Sequence, residues 1–507
     1  MADIDDVYHM LGFGRMQRII FACCVLIQIY ITNEQLGLSL IVASSACELQ
    51  IDDHRMSWLM SAVFTAQILA SHYMGDKADE IGRRKLILIT GSLMLFTSLL
   101  SALMPDFWSF LVMRFLVGVF VTGPTVSMQT YLSEFTKFSL RPKVLNYVSY
   151  SIGLSMIYVP CIAALVKVNL PIYNAYTFSS WRLLILLNLL PGITAFIMLY
   201  RLPESPKYYL SVNEDAKAMA VLEQCCRLNK GKDVTLASLG VDSVTQPRLR
   251  GATIKRNCVA RLWYESLPLL ERPYFRNFFL TSAGVFVQFG VSFGLGVWML
   301  RVRHLILQVE ETETICELMR KHGHHKIELP TVSWEILNVI FPLLISPPSV
   351  LQCDLTFKNV KDSIYHGVFV LFAFILTSFL LMCIRRRTII VIYLLTAALA
   401  GFLVNFVTND TLILIVFLLL IVPPICSLRL TTSLLIDLIP THLRGKAVAL
   451  CLIFGRTGVL TSSLFIGYTL RQLCYVTFNG FVLAIIASAI LILLLPSESK
   501  MMDNLSK

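Results

Sequence analysis

Four ionisable side chains interrupt long apolar segments of this sequence, and they are the first clue to its chemistry. Glu34, Arg114, Arg429 and Arg456 each lie within a mostly apolar stretch of about 20 residues. A charge in such a stretch costs a few kcal/mol, so it usually faces a partner or a water-filled cavity. These residues are therefore candidates for a site that binds a polar or charged solute.

The roles of these four side chains remain open between binding and structure. Glu34 is suited to bind a cation or a proton, and the alternative, which the sequence favours slightly, is a structural ion pair with one arginine. For Arg114, helix packing is favoured over binding. Arg456, a lone cation midway along its segment, is a natural anchor for an anionic solute, with packing as the alternative. Arg429 lies nearer the end of its segment.

Three amides and a tryptophan extend the candidate cavity. Asn33, Gln129, Gln288 and Trp298 would orient a solute in an otherwise apolar pocket, although each alone is more often a packing residue. Trp298 also suits the belt of aromatic residues at a membrane surface.

Charged turns between apolar segments form a second set of candidates. Glu134 and Arg141 have the same acid-to-arginine spacing as Asp437 and Arg444, about 300 residues later. The first half also carries GDKADEIGRRK and PESP, whereas the turn matching GDKADEIGRRK in the second half keeps only Arg385–Arg387. Gly75 and Gly82 would allow a tight turn and close helix approach.

We predict that these turns form a cytosolic gate that holds two halves of the protein together in the outward-facing state. Any one turn alone is explained as well by ordinary charge beside a membrane. The predicted gate residues are Gly75, Asp79, Gly82, Arg83, Arg84, Glu134, Arg141, Glu204, Asp437 and Arg444.

Twelve apolar blocks must position these residues. The chain has 507 residues, 56% of them hydrophobic and 15% charged, against about 45 to 50% and a quarter in soluble domains. The sequence therefore predicts an all-α integral membrane protein with twelve transmembrane helices in two six-helix halves. The blocks lie at 18–41, 57–75, 86–104, 108–131, 144–167, 181–201, 276–300, 365–384, 388–407, 411–434, 447–468 and 474–496.

The positive residues of the short loops fall on alternate turns, which places both termini and the long central segment in the cytosol. The predicted units are an N-terminal segment 1–17, a first half 18–201, a central loop 202–275 with short helices, a second half 276–496 and a C-terminal segment 497–507. Within the central loop, Asn213 is predicted to cap a helix that Gly231 ends, and 236–258 is predicted to be a flexible linker. The apolar run 336–345 is too short to span and is assigned to an outer loop, 301–364.

Cysteines on the predicted outer side suggest a disulfide. Cys47, Cys316, Cys353 and Cys474 face an oxidising compartment, and a Cys316–Cys353 bond would staple the long outer loop, although the sequence does not determine pairing.

Several function classes are disfavoured. The net charge of +11 lies in loop clusters without an aromatic and basic stripe, so we predict no nucleic-acid partner, with membrane lipid as the partner of these charges. We find no nucleophile–base set, phosphate-binding loop or metal-ligand spacing, so we predict no enzyme activity, no cofactor and no metal site. His322, His324 and His325 are assigned to a solvated loop.

The motifs resemble the major facilitator superfamily, and the resemblance covers essentially the whole chain. The residues that carry it are Gly75–Lys85, Arg114 with Gly118, Glu134 with Arg141, and PESP at Pro203–Pro206. GFGRMQ at Gly12–Gln17, SSWRLL at Ser179–Leu184 and the long loop after the seventh span are similar to the synaptic vesicle glycoprotein 2 group.

This resemblance implies a monomeric secondary carrier that moves a small organic solute, with or without a coupling ion, by alternating access. It would lie in the plasma membrane or a synaptic vesicle membrane. The alternative is a carrier-fold protein that has given up transport for a binding or regulatory role.

Overall fold

The computed structural model is a bundle of long helices, as the apolar blocks predict. Most of the chain is described, and the gaps fall mainly in the central loop, the 301–364 segment and the C-terminus. The described residues are 2–46, 48–137, 140–166, 170–172, 176–231, 233–241, 243–245, 267–269, 271, 274–307, 314–317, 357–439, 443–470 and 472–496.

The first half contains the helices that precede the central loop, followed by two short helices of that loop. They are α1 (Ile4–Leu11), α2 (Arg15–Gln35), α3 (Leu38–Ser45), α4 (Asp53–Ile81), α5 (Arg83–Ser101), α6 (Phe107–Glu134), α7 (Arg141–Leu165), α8 (Ser180–Asn188), α9 (Leu190–Tyr200), α10 (Pro206–Ser211) and α11 (Asp215–Lys230).

The second half repeats the arrangement of long helices. They are α12 (Tyr274–Phe289), α13 (Gly296–Leu307), α14 (Phe357–Cys383), α15 (Arg386–Leu403), α16 (Asp410–Leu438), α17 (Arg444–Thr469) and α18 (Cys474–Leu493). Short strands are β1 (Ala2–Asp3), β2 (Leu170–Ile172), β3 (Tyr176–Phe178) and β4 (Val244–Thr245).

Eleven segments of the described chain are long and apolar enough to cross a membrane. The predicted second span, α4, has 29 residues, enough to cross, but it is not among the eleven. Its middle carries Gln67, Ser71 and His72, which lower its hydropathy. We call the end of the bundle where α2 starts and α18 ends the termini end.

Three predicted spans are interrupted. The first is broken between α2 and α3 at Leu36 and Gly37, and the sixth between α8 and α9, where Pro191 lacks the donor that a continuous helix needs. In the seventh, a π-helical turn at Gly290–Leu295 separates α12 from α13. Such turns are frequent at functional sites because they redirect the side chains that follow.

The two halves meet mainly along two helix pairs, α4 with α17 and α7 with α14. Glycines permit this close approach: a Cβ atom on Gly153 of α7 would lie 2.8 Å from the backbone of Leu371, and one on Gly367 of α14 would lie 2.7 Å from that of Ile157. At the end of the bundle opposite the termini end, α17 approaches α4 closely. A Cβ atom on Gly467 of α17 would lie 2.6 Å from the Cβ atom of Ser57 of α4. Substitution at these positions would push the halves apart.

The N-terminal segment and the central loop fold together at the termini end. β1 pairs in parallel with β4, and α1 buries Val7 and Tyr8 against α11. Asn229 of α11 accepts a hydrogen bond from the Met16 amide at 3.0 Å, which ties α11 to the start of α2.

Two predictions about this loop are wrong. The first part of the predicted linker, 236–245, includes a 3₁₀ turn at Ala237–Leu239 and strand β4, because a strand can find a partner far away in sequence. The cap of α11 is Glu214, and Asn213 adopts a left-handed conformation with φ of 62° just before it. Gly231 ends the helix as predicted.

Candidate functional site

Glu34 and Arg114 form a buried ion pair inside the first half. Arg114 of α6 donates to the Glu34 carboxylate of α2 at 2.8 Å, and Ser98 of α5 donates to its other oxygen at 2.7 Å. Ser101 accepts a further hydrogen bond from Arg114. The two charged side chains are 4% and 0% exposed. The cluster therefore joins three helices and balances its own charge.

Asn33 occupies the adjacent position on α2 but faces α7. Its side-chain oxygen accepts a hydrogen bond from Ser155 at 2.6 Å, and its buried amide nitrogen has no partner among the described residues. Leu36, Gly37 and Ser155 lie near this position and line a cleft between the two halves.

The cleft encloses about 680 Å³ of empty space, part of it open to solvent. The first half contributes the break between α2 and α3, α3 itself and α7 to its wall, and the second half contributes α13, α14 and the π-helical turn. Its side chains are apolar groups and hydroxyls beside one charged cluster. The lining residues are Leu36, Gly37, Ser39, Leu40, Ser155, Met156, Val159, Pro160, Ser292, Gly296, Val297, Met299, Arg303, Asp362, Ser363 and His366.

The charged cluster of the cleft centres on Arg303, which the sequence did not single out. Arg303 of α13 donates twice to Oδ2 of Asp362, at 2.7 and 2.8 Å. It also donates to the carboxylate of Asp410 at 2.6 Å and to its backbone carbonyl at 3.1 Å. Arg303 is 2% exposed, and Asp362 is also buried. One turn further along α14, the buried Nε2 atom of His366 has no partner in the described part of the chain.

Both Arg303 and Asp362 lie just outside the spans as the sequence delimits them, at 276–300 and 365–384. The structure extends these helices to Leu307 and back to Phe357. The sequence did contain a signal for this cluster: Arg303 and Asp362 are charged residues that flank apolar blocks on the outer side, where Lys and Arg are otherwise few.

The remaining cavity candidates lie in three different settings. Arg456 of α17 donates a hydrogen bond to Ser71 of α4 in the other half. Trp298 is fully buried and donates to Ser463 at 3.3 Å. Both amide atoms of Gln288 are buried without a partner among described residues. Trp298 is thus a core residue rather than a belt residue.

Two candidates have less definite surroundings. Arg429 of α16 and Gln129 of α6 are partly buried. Of the eight cavity candidates, the structure brings together Glu34 and Arg114 directly, with Asn33 beside them.

Several predicted gate residues of the first half lie together at the termini end. Arg83 lies between Asp79, at 2.7 Å, and Glu134, at 3.2 Å. Arg141 donates to the carbonyl of Thr136 at 3.0 Å. Arg84 donates to the carbonyl of Leu199 at 3.0 Å. These contacts lie within the first half.

Glu204 of the PESP motif caps α5. Its carboxylate accepts the amide N–H groups of Arg84 and Lys85, at 2.9 and 3.1 Å, where the positive end of the helix dipole favours an anion. Gly82 has φ of 100°, and a Cβ atom there would lie 2.5 Å from Glu204, so only glycine fits. The tight turn and close helix approach predicted at Gly75 are wrong, because Gly75 lies inside α4 and a Cβ atom on it would meet nothing within 4 Å.

The second copy of the turn is described only by its backbone. Asp437 lies in the last turn of α16, and Arg444 is the first residue of α17. The side chains of both lie outside the described residues, as do Cys353, the 336–345 run and the three histidines at 322–325. The described residues hold no group of His, Cys, Asp or Glu suited to a metal ion.

The predicted disulfide is wrong in one partner. Cys316 is bonded to Cys474 at the start of α18, with 5.4 Å between their Cα atoms, so it is not available to Cys353. The pair joins residues 158 positions apart, a separation that sequence spacing does not reveal. The bond ties the segment after α13 to the last helix.

Comparison with known proteins gives similarity over part of the sequence and over the whole fold. A model of the family "Sugar (and other) transporter" matches residues 21–263. Synaptic vesicle glycoprotein 2C of Mus musculus is 24% identical over 312 residues, covering 57% of this chain and 42% of the mouse protein. Synaptic vesicle 2-related protein of Xenopus laevis is 27% identical over 226 residues, covering 45% and 39%.

Putative transporter svop-1 of Caenorhabditis elegans is 26% identical over 268 residues, covering 50% of this chain and 49% of the worm protein. The chain thus covers less than half of the length of each of these relatives.

Solved structures match the entire chain. The inward-open xylose transporter XylE from E. coli has a TM-score of 0.64 at 13% identity and covers 99% of both chains. The partially occluded inward-open form has a TM-score of 0.62 at 12% identity, covering 95% of this chain and 99% of that one. At this identity the likeness establishes the fold alone.

Proposed function

We propose that this chain, a membrane protein of the major facilitator fold that resembles the synaptic vesicle glycoprotein 2 group, is a secondary-active carrier of a small organic solute. The observation that carries the proposal is the cleft between the halves, which both halves line. Opening the two helix pairs at one end or the other would expose such a cleft to alternate sides of the membrane. The matched family and the structural neighbours are described as transporters.

Exchange across a sealed membrane tests the carrier role. Purified protein in liposomes loaded with an unlabelled solute should accumulate the same solute in labelled form by counterflow. Binding that stabilises the protein against heat, without exchange, would instead support the binding or regulatory role and contradict the carrier.

Glu34 is the candidate site for a coupling ion in the first half. XylE is described as a proton:xylose symporter, and Glu34 here is a buried carboxylate that meets a single arginine. Uptake by Glu34→Gln should lose the pH dependence of the wild-type protein. A pH profile that is unchanged in the variant would rule out Glu34 as the coupling site.

The cluster of Asp79, Arg83 and Glu134 is proposed as the gate on the cytosolic side. Asp79 is 75% exposed, so its pair with Arg83 can be broken and remade at small cost. The pair of Arg83 with Glu134 is largely buried, with side chains 15% and 13% exposed. Glu134→Gln combined with Asp437→Asn should raise the accessibility of the cleft from the termini end. Glu80→Gln, which removes only an exposed pair with Lys77, is the matched control. Unchanged state populations and transport in the double variant would contradict the gate.

We place both termini and the central loop in the cytosol, in the plasma membrane or a vesicle membrane. The distribution of Lys and Arg supports this orientation. The Cys316–Cys474 bond at the opposite end supports it independently, because disulfides persist in oxidising compartments.

A further inference from the structure

The ionisable side chains of the described spans mostly cancel one another. Glu34 is paired with Arg114, and Arg303 with Asp362, so neither cluster offers an uncompensated charge to a solute. Asp410, the third member of the second cluster, is 36% exposed and therefore solvated. Arg456 and Arg429 remain, and no carboxylate of the described residues forms an ion pair with either.

Arg456 faces the other half of the protein, at the α4–α17 contact and outside the lining of the cleft. Its side chain is 5% exposed, and its one described hydrogen bond goes to the hydroxyl of Ser71, which in turn donates to the carbonyl of Gln67. A guanidinium group carries five N–H donors in a fork that matches a carboxylate. A neutral hydroxyl therefore leaves most of its hydrogen-bonding capacity and all of its charge uncompensated.

Arg429 lies at a similar depth on the neighbouring span. It precedes the end of α16 by nine residues, and Arg456 follows the start of α17 by twelve. At 1.5 Å per residue, the two positions are about 14 and 18 Å from the termini end, within one helical turn of each other. Positive charge is thus concentrated at one level of the second half.

Polar groups without partners accompany this charge. Gln288, on α12, is fully buried with both amide atoms unpaired in the described structure. α12 packs so closely against α17 that a Cβ atom on Gly458 would overlap the carbonyl of Phe286. One turn further on, the hydroxyl of Ser292 is also unpaired and lines the cleft. Buried polar groups of this kind are normally satisfied by water, an ion or a ligand.

From this balance of charge we infer that the solute is a small organic anion whose acidic group binds the guanidinium of Arg456. The inference rests on the proposed carrier function and names its substrate class. A carboxylate forms charge-assisted hydrogen bonds about twice as strong as those of a hydroxyl, so it would displace Ser71. Binding would then release a contact between α4 and α17, which links occupancy of the site to separation of the halves.

Three probes of matched size test the charge preference in the wild-type protein. Purified protein in nanodiscs is titrated with radiolabelled benzoate, benzyl alcohol and benzylamine, which are anionic, neutral and cationic. We expect benzoate to bind at least about tenfold more tightly than either of the others. Equal binding, preference for benzylamine or no binding of any probe at millimolar concentration would overturn the inference.

Variants then assign the preference to Arg456. Arg456→Gln should weaken benzoate binding on the order of tenfold or more and leave benzyl alcohol unchanged, whereas Arg456→Lys should keep part of the preference. Arg385→Gln removes one charge at an exposed position and is the matched control. Ser71→Ala should strengthen benzoate binding, because it removes the acceptor that competes for the guanidinium. Retained preference in Arg456→Gln would refute the assignment.

The same preparations separate this inference from the carrier proposal. Benzoate preference without counterflow in liposomes would leave the anion site standing and contradict transport. Counterflow with no preference among the three probes would support transport and contradict the anion site.

Discussion

At the scale of residues, Glu34 is held by a network rather than by one partner. Arg114 and Ser98 satisfy both of its carboxylate oxygens, and Ser101 accepts from the same guanidinium. The sequence offered an ion pair with one arginine as the alternative for Glu34 but did not say which arginine, and for Arg114 it favoured helix packing. It did not identify the serines, since a serine in a helix has many neighbours and no spacing that marks its role.

Removing the carboxylate should destabilise the first half. Glu34→Gln leaves Arg114 buried without a counter-charge, which typically costs about 3–5 kcal/mol when a buried pair loses one member. We expect a lower midpoint of thermal unfolding in detergent. The double variant Glu34→Gln, Arg114→Gln should recover part of the loss, because it buries no charge. A midpoint equal to wild type in the single variant would show that the pair does not stabilise the fold.

Glu48 lies between α3 and α4, at the end of the bundle opposite the termini end, and its carboxyl should make the stability of the fold depend on pH. Burial acts to raise the pKa of this carboxyl, but hydrogen bonds from Ser179 and Trp181 and the charge of Arg182 outweigh it, so the pKa lies below its ordinary value of 4.5. The ionised form therefore favours folding. Its contribution is fully present above about pH 4.5 and is lost as the pH falls further.

Unfolding midpoints measured from about pH 6 to about pH 3 test this. The wild-type midpoint should fall more steeply over the acid part of this range than that of Glu48→Gln. Parallel curves for the two proteins would remove Glu48 as a source of acid sensitivity.

At the scale of elements, the sequence predicted spans well and interruptions poorly. Apolar blocks of about 20 residues mark helices whatever surrounds them. The π-helical turn at Gly290–Leu295 depends on how Gly290 and Gly294 meet α17, where a Cβ atom on Gly294 would overlap the Ser462 hydroxyl. Contacts of that kind are set by packing between segments far apart in sequence, so periodicity does not report them.

The glycine contacts of the α7–α14 pair predict a packing defect. Gly153→Ala places a methyl group 2.8 Å from backbone atoms of Leu371, which have no rotamer by which to move away. We expect a loss of about 1–3 kcal/mol, seen as a lower unfolding midpoint, with easier access of thiol reagents to a cysteine introduced in the cleft.

Gly480→Ala in α18 is the control, because a Cβ atom there meets nothing within 4 Å. It should be neutral or slightly stabilising, since alanine favours helix more than glycine does. If Gly153→Ala behaved like this control, the two halves would not be in contact at α7 and α14.

At the scale of the whole molecule, the predicted fold class and the resemblance to the synaptic vesicle glycoprotein 2 group are confirmed. Two similar halves could be predicted because the acid-to-arginine turns repeat at matched positions. The Arg303 cluster and the partner of Cys316 could not, because each depends on contacts between segments far apart in sequence.

One labelling experiment tests both the Cys316–Cys474 bond and the side of the membrane on which it lies. Without reduction, Cys316 and Cys474 should resist a maleimide that does not cross membranes, applied to intact cells. Cys316→Ser should expose Cys474 to the reagent, and Cys474→Ser should expose Cys316. Cys353→Ser is the matched control and should free neither thiol. Labelling of these variants that appears once the plasma membrane alone is permeabilised, with vesicle membranes intact, would reverse the orientation.

The parallel pairing of β1 with β4 also has a consequence for biosynthesis. Residues 2–3 leave the ribosome early, but their partners at 244–245 follow only after the entire first half. At a translation rate of about 5–20 residues per second, β4 is synthesised roughly 12 to 50 seconds after β1. During that interval six helices must insert into the bilayer, so β1 can pair with β4 only after the first half has been fully translated.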